Sequence, residues 1–331
     1  MPAIFEYLVP PFAAFAVVYG FIGLMLKTGI LSGIVDHPNQ RSLHTKPIPR
    51  TGGLAVMAGL WGGWFLSGMP LPILFGLSGG LVVLSCLDDI YDLKVLWRFA
   101  GHFAAAAGFI TAVNFLALPP QIIVIIAIAI VWMTNLFNFM DGSDGLAGGM
   151  AFFGFGFYGI AAWLSGGDGF ALACICLSAA AAGFLVYNFH PARIFMGDAG
   201  SIPLGFLAAA LGLIGWQRHY WPLWFPVLTF SPFIVDASIT LMRRALRGEK
   251  VWQAHREHYY QRLVRSGMGH RTTALVEYGL MSACGLSALS ALYGSSYMQA
   301  GVLAAWAFVY CVLALIVDRR WHKFDGGAHA R

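Results

Sequence analysis

Charge is what this sequence has least of. Only 11% of its 331 residues are Asp, Glu, Lys or Arg, against 59% hydrophobic, where a soluble domain carries about 25% charged residues. With a mean hydropathy of +0.71, that scarcity excludes an ordinary soluble domain and points to an integral membrane protein. Cysteine is sparse too: Cys86, Cys174, Cys176, Cys284 and Cys311 lie within apolar stretches, with no CxxC pair and no metal-type spacing. That excludes a disulfide framework and leaves packing as their role. No cation precedes Lys27, so the first apolar run lacks the basic flank of a cleaved leader and reads as a retained helix. Internal repeats and low-complexity linkers are absent, so one membrane-embedded domain over 1–331 is expected.

Apolar length is what the chain has in quantity. A spanning helix needs about 20 apolar residues. Candidate spans lie near 6–30, 51–68, 70–87, 99–117, 120–137, 147–165, 168–187, 201–216, 221–242, 273–293 and 298–317, which predicts an all-α polytopic protein of about eleven transmembrane helices. The 40 glycines would let such helices approach closely. The basic residues then sort by loop. Lys27, Arg41, Lys46, Arg50, Lys94, Arg98, Arg193, eight cations from Arg243 to Arg271, and Arg319, Arg320, Lys323 and Arg331 fall on one side; Arg218 stands alone on the other. The positive-inside rule places the N-terminus outside and the C-terminus in the cytoplasm. It also accounts for the net charge of +5 without a nucleic-acid partner.

Five loops share the basic side and carry the motifs, about 31–50, 88–98, 138–147, 188–200 and 243–272. Asp88 and Asp89 end the third apolar run. Two adjacent carboxylates at a helix end repel each other and persist with a cation or in water, as Mg²⁺ ligands, as proton acceptors or as a solvated helix end. Asn135, Asn138, Asp141 and Asp144 recur every three residues, so successive members neighbour one another on a helix. Asn188 to Ser201 (NFHPARIFMGDAGS) is the most specific string. Asp198 in it is either a helix N-cap before Ser201 and Pro203 or a hard oxygen ligand for Mg²⁺, which takes one or two carboxylates, substrate phosphate and water. The basic stretch carries His255, His258 and His270. It reads as an interfacial amphipathic segment, a phosphate-binding loop or, with no third ligand at a telling spacing, a weak zinc site. In the first loop Arg41, His44, Lys46 and Arg50 either contact phosphates or merely flank a span. Asp236, inside the ninth span, reads as structural or supporting.

Together these strings resemble the polyprenyl-phosphate N-acetylhexosamine-1-phosphate transferase family, over about residues 35–270. The resemblance implies transfer of an N-acetylaminosugar 1-phosphate from a UDP-sugar to undecaprenyl phosphate, releasing UMP, with Mg²⁺ or Mn²⁺ as cofactor, at the cytoplasmic face of a bacterial inner membrane and among its lipids. By it, Asp88 and Asp89 match the acidic pair at the phosphate centre, Asp141 the carboxylate beside the metal and Asp198 the direct ligand. Asp144, Asn188 and Phe195 match the residues that cradle the uridine, Lys46 the part approaching the nucleotide, and His258 the first His of a His-x-His-His string near the pyrophosphate; Asn138, His255 and Arg262 join them as substrate contacts. The chain departs where Tyr259, Tyr260, Gln261 and Arg262 follow His258. The double His is missing, and the form is more similar to the branch that initiates O-antigen on GlcNAc or deoxy-aminosugars such as FucNAc and QuiNAc than to the peptidoglycan enzyme. The reading requires Asp88, Asp141 and Asp198 to gather around a shared divalent ion. A direct attack by the lipid phosphate is favoured over an aspartyl-phosphate route, and a homodimer is left open. A lipid-phosphate transporter is the competitor from another class, but it would place acids near the bilayer midplane.

Overall fold

A computed structural model describes residues 2–29, 35–36, 43, 47–68, 72–251, 253 and 255–328. The protein is an all-α polytopic membrane protein. The helices are α1 Pro2–Thr28, α2 Gly52–Ser67, α3 Ile73–Tyr91, α4 Val95–Ala112, α5 Pro120–Phe139, α6 Leu146–Leu164, α7 Asp168–Asn188 and α8 Asp198–Gln217. They continue with α9 Trp224–Thr229, α10 Ser231–Leu246, α11 Tyr259–Leu263, α12 Gly269–Ala291 and α13 Ser296–Ala328. Each expected span has a helical counterpart. Among the described residues nine helical stretches are long and apolar enough to cross a membrane; α2, with 16 residues, falls short of that length.

The ninth expected span is two helices. The chain breaks at Phe230 between α9 and α10, with Pro232 in the first turn of α10. A proline there has no N–H to give to the preceding turn, so the helix restarts instead of continuing. Another departure is α8, which begins at Asp198, three residues before the expected start. Gly197 makes this possible: its φ of +68° turns the chain into the helix, a conformation glycine adopts without a Cβ penalty.

The core is a chain of packed helices in which α2 lies on α1, α1 on α7, α7 on α6, and α8 on α5 and α3. Backbone contact replaces side-chain interdigitation where α2 meets α8, since a methyl at Gly53 would fall on the Gly200 backbone. Small residues allow this approach between membrane helices. A two-stranded ribbon pairs Val35 with Pro49 and Asp36 with Ile48. From there the Phe195 N–H donates to the Pro49 carbonyl at 2.7 Å, and Gly52 and Gly53 donate to the carbonyls of Phe195 and Met196 at 2.9 and 2.8 Å. The first loop, the start of α2 and the Met196–Asp198 turn are thereby one hydrogen-bonded unit.

Candidate active site

The last turn of α3, the first turn of α4, the end of α5 and the start of α8 meet at one end of the bundle. They bring the motif carboxylates around two arginines. Arg98 Nε lies 3.2 Å from Asp88 Oδ2, and its Nη2 lies 3.6 Å from Asp198 Oδ2. Arg50 Nη2 lies 3.1 Å from Asp89 Oδ1. Asp88 also accepts the Leu93 N–H at 2.9 Å, which fixes one of its oxygens. Asn138 donates from Nδ2 to Asp198 Oδ1 at 2.8 Å and to Ser201 Oγ at 3.0 Å, so the Asn-to-Asp pairing across α5 and α8 is direct.

Asp141 follows α5 in the turn to α6 and is held well above the usual carboxylate range. Burial is the first cause, the charge of Asp198 the second, and the N–H of Gly197 opposes both. Two like charges in one partly desolvated place call for a cation. The Asp141–Asp198 pair therefore fits Mg²⁺, a hard ion satisfied by one or two carboxylates with phosphate and water. The expected trio does not form: among the described residues no three His, Cys, Asp or Glu side chains converge on one ion position. Asp88 is turned to Arg98 instead, a cation competing for the same carboxylate.

A second cluster holds the donor-binding candidates. His190 donates from Nδ1 to Asp144 at 2.6 Å, and the Ala192 N–H donates to the same oxygen at 3.1 Å. His270 donates from Nε2 to the Leu43 carbonyl at 3.1 Å, so its Nδ1 accepts the Ser143 hydroxyl at 2.9 Å when the ring is neutral. The His190 and His270 rings stack, with centroids 5.6 Å apart. Asn188 is buried between backbones, accepting from Gly145 and donating to Ile194, each at 2.9 Å. Phe195 is half-buried on the Pro49-linked turn. Lys46 lies outside the described residues.

The basic loop divides its candidates. His258 is 3% exposed and donates from Nδ1 to Asp236 at 3.1 Å. Asp236 also accepts the N–H groups of Tyr259 and Tyr260 at 2.9 and 3.0 Å, so it caps α11 and sets the tautomer of His258. The Tyr260 hydroxyl donates to the Phe139 carbonyl at 3.2 Å and lies against Gly142, bracing the turn that carries Asp141. His255 packs beside His258 at 4.8 Å between ring centroids. Burial, then His258 and Arg244, lower its pKa to about 4. Arg262 is not brought to the carboxylates: it pairs with Asp318 at 2.9 Å and donates to the Glu257 carbonyl at 2.8 Å, a structural tie to α13. Residue-by-residue reading passes over Arg98, Asp236 as the anchor of His258, and the His190–His270 stack. Arg98 did carry a signal, a guanidinium in the first turn of an otherwise apolar helix.

Beside the carboxylates, α4, α5 and α10 form an apolar trough of about 470 Å³ that includes Phe99, Phe103, Ile128 and Trp132. Arg98 belongs to both places. The fold and site thus define a carboxylate–arginine centre at one end of a bundle of membrane helices, beside an apolar groove.

Residues 71–215 match the model of glycosyl transferase family 4. A Bacillus subtilis protein named probable undecaprenyl-phosphate N-acetylglucosaminyl 1-phosphate transferase is 31% identical over 274 residues, covering 77% of this chain and 76% of its own. A decaprenyl-phosphate N-acetylglucosaminephosphotransferase of Mycobacterium tuberculosis is 28% identical, covering 86% and 82%. An undecaprenyl-phosphate alpha-N-acetylglucosaminyl 1-phosphate transferase of Yersinia pestis is 27% identical, covering 91% and 88%. This chain belongs to glycosyl transferase family 4, in the group that joins hexosamine 1-phosphates to polyprenyl phosphates.

Proposed function

We propose that the protein transfers an N-acetylaminosugar 1-phosphate from a UDP-sugar to a polyprenyl phosphate such as undecaprenyl phosphate, releasing UMP. One observation carries this: Arg98 stands at the junction of the carboxylate cluster and the apolar trough. A phosphate on an isoprenoid tail matches that junction, with the tail in the trough and the phosphate against Arg98. An oxygen of that phosphate attacks the sugar-bound phosphorus of the donor, and the bond to UMP breaks. Asp88 orients or deprotonates the attacking phosphate, and Arg98 offsets the charge that accumulates around it. Asp141 and Asp198 would hold Mg²⁺ or Mn²⁺, which when bound neutralises charge on the pyrophosphate and on departing UMP. Asp144, Phe195 and the stacked histidines border the place assigned to the nucleotide.

The orientation follows the loop charges: N-terminus outside, eleven crossings, active site on the cytoplasmic face of the bacterial inner membrane. The sugar is N-acetylglucosamine, which the relatives' names carry, or a deoxy-aminosugar of the O-antigen-initiating kind, which the Tyr259–Arg262 departure favours. UMP release from a panel of UDP-aminosugars with undecaprenyl phosphate in detergent tests both levels. No release with any donor refutes the reaction, and the preferred donor names the sugar.

A further inference from the structure

The C-terminal elements enclose a second space that the transferase reading leaves unused. A cavity of about 250 Å³ lies between α10, α11, α12 and α13. Its walls are aliphatic, with Val235 and Ile239 on one side and Leu280 and Leu313 on the other. Two tyrosines, Tyr259 and Tyr310, and two acids, Asp236 and Glu277, interrupt them. Asp236 is satisfied by His258 and the start of α11. Glu277 is not. It is only 9% exposed, yet among the described residues no hydrogen bond or ion pair reaches it, and the one charge acting on it is Asp236, of the same sign.

A buried acid without a partner is costly at membrane depth, and a second carboxyl beside it raises that cost. The missing complement is a cation. Val276, also lining the cavity, is 50% exposed, so the cavity reaches the surface of the helical bundle. We infer that this cavity binds a lipophilic primary amine from the membrane, its ammonium on Glu277 and its alkyl chain against Val235, Ile239 and Leu313. A fatty acid would add a third carboxyl, and an alcohol would supply no charge. Because Asp236 is both a wall of the cavity and the anchor of His258, occupancy biases the position of α11; that coupling, unlike the binding, rests on the proposed transferase activity.

Equilibrium binding of radiolabelled dodecylamine to the full chain in phosphatidylcholine nanodiscs tests the site. Expected is one saturable site whose affinity falls at least tenfold in Glu277→Gln, and likewise in Ala314→Phe, which fills the cavity while keeping the acid. Dodecanol and lauric acid should not displace the amine. Equal affinity in wild type and Glu277→Gln, or displacement by dodecanol, overturns the proposal. Should Glu277→Gln fail to fold, Ala314→Phe decides alone: undiminished binding in that folded variant removes the site. Saturating amine should also shift the rate of UMP release at least twofold. Binding without that shift refutes the coupling alone, and a protein that binds amine but never releases UMP refutes the transferase reading alone.

Discussion

The helices α8 and α13 invert the rule that the most apolar segment is the most buried. Of the nine membrane-length helices α13 is the most apolar, yet its most apolar stretch has no buried residue, whereas 83% of that of α8 is buried. In water such a helix as α13 would be core. In a bilayer lipid tails are as good a solvent as leucine, so apolarity marks lipid contact and small residues mark protein contact. The sequence of α8 reads that way, with glycine and alanine throughout and Asp198 at its first position. The carboxylate cluster is thus mounted on the most enclosed of these helices.

The largest effect should follow from the residue that α8 holds. Asp198→Asn should lower UMP release by at least about a thousandfold, the scale of removing a main electrostatic group, while membrane insertion and elution as a folded species persist. Near-normal turnover would detach the site from α8. Chelation should abolish turnover in the wild type and Mg²⁺ or Mn²⁺ should restore it; full activity in excess chelator would remove the ion assigned to Asp141 and Asp198.

Next comes packing. Gly205 abuts the Met133 carbonyl of α5, while Gly301 on α13 has open space around it. Gly205→Val should destabilise the fold by about 1–3 kcal/mol or more through overpacking, and Gly301→Val should stay within about 0.5 kcal/mol. Thermal unfolding in detergent measures both; equal losses would show that α13 is packed as tightly as α8. Asp318, which pairs with Arg243 and Arg262, is the polar tie of α13 to this end. Asp318→Asn should cost about 1–3 kcal/mol, because Arg262, only 8% exposed, keeps its charge and loses its nearer carboxylate, with the Glu257 carboxylate left at 4.0 Å. Unchanged unfolding would make the tie a surface pair.

Much of this architecture is legible in the chain because its signals are local. An apolar run against loop cations marks each span, and the acids at run ends mark the candidate site. What escapes is decided by contacts between distant segments. Arg98 counts equally well as a positive-inside flank until α4 and α8 are seen to pack around α3 and bring it to Asp198. Asp236 reads as an intramembrane acid of unknown partner because α11 lies over twenty residues on. Arg262 looks like a substrate contact by its place in the motif, yet Asp318, from the last helix, takes it. The break at Phe230 was hidden for another reason: Pro232 is common in membrane helices and does not by itself end one.

The smallest effect tests the loop that joins the two regions. His255 is held neutral by burial first and by His258 and Arg244 next, with its pKa lowered to about 4. In the unfolded chain it titrates near 6.5. Between those values the unfolded state binds a proton that the folded state refuses, so stability falls as pH drops from about 6.5 towards 4 and is unaffected by this group above 7. Unfolding temperature should therefore decline on acidification through that window, and less steeply in His255→Gln, with the two proteins differing little in slope at neutral pH. The other histidines and carboxylates remain in both, so the difference in slope isolates this ring. Identical slopes would mean that His255 accepts its proton in place, and that the loop before α11 yields without disturbing either helix.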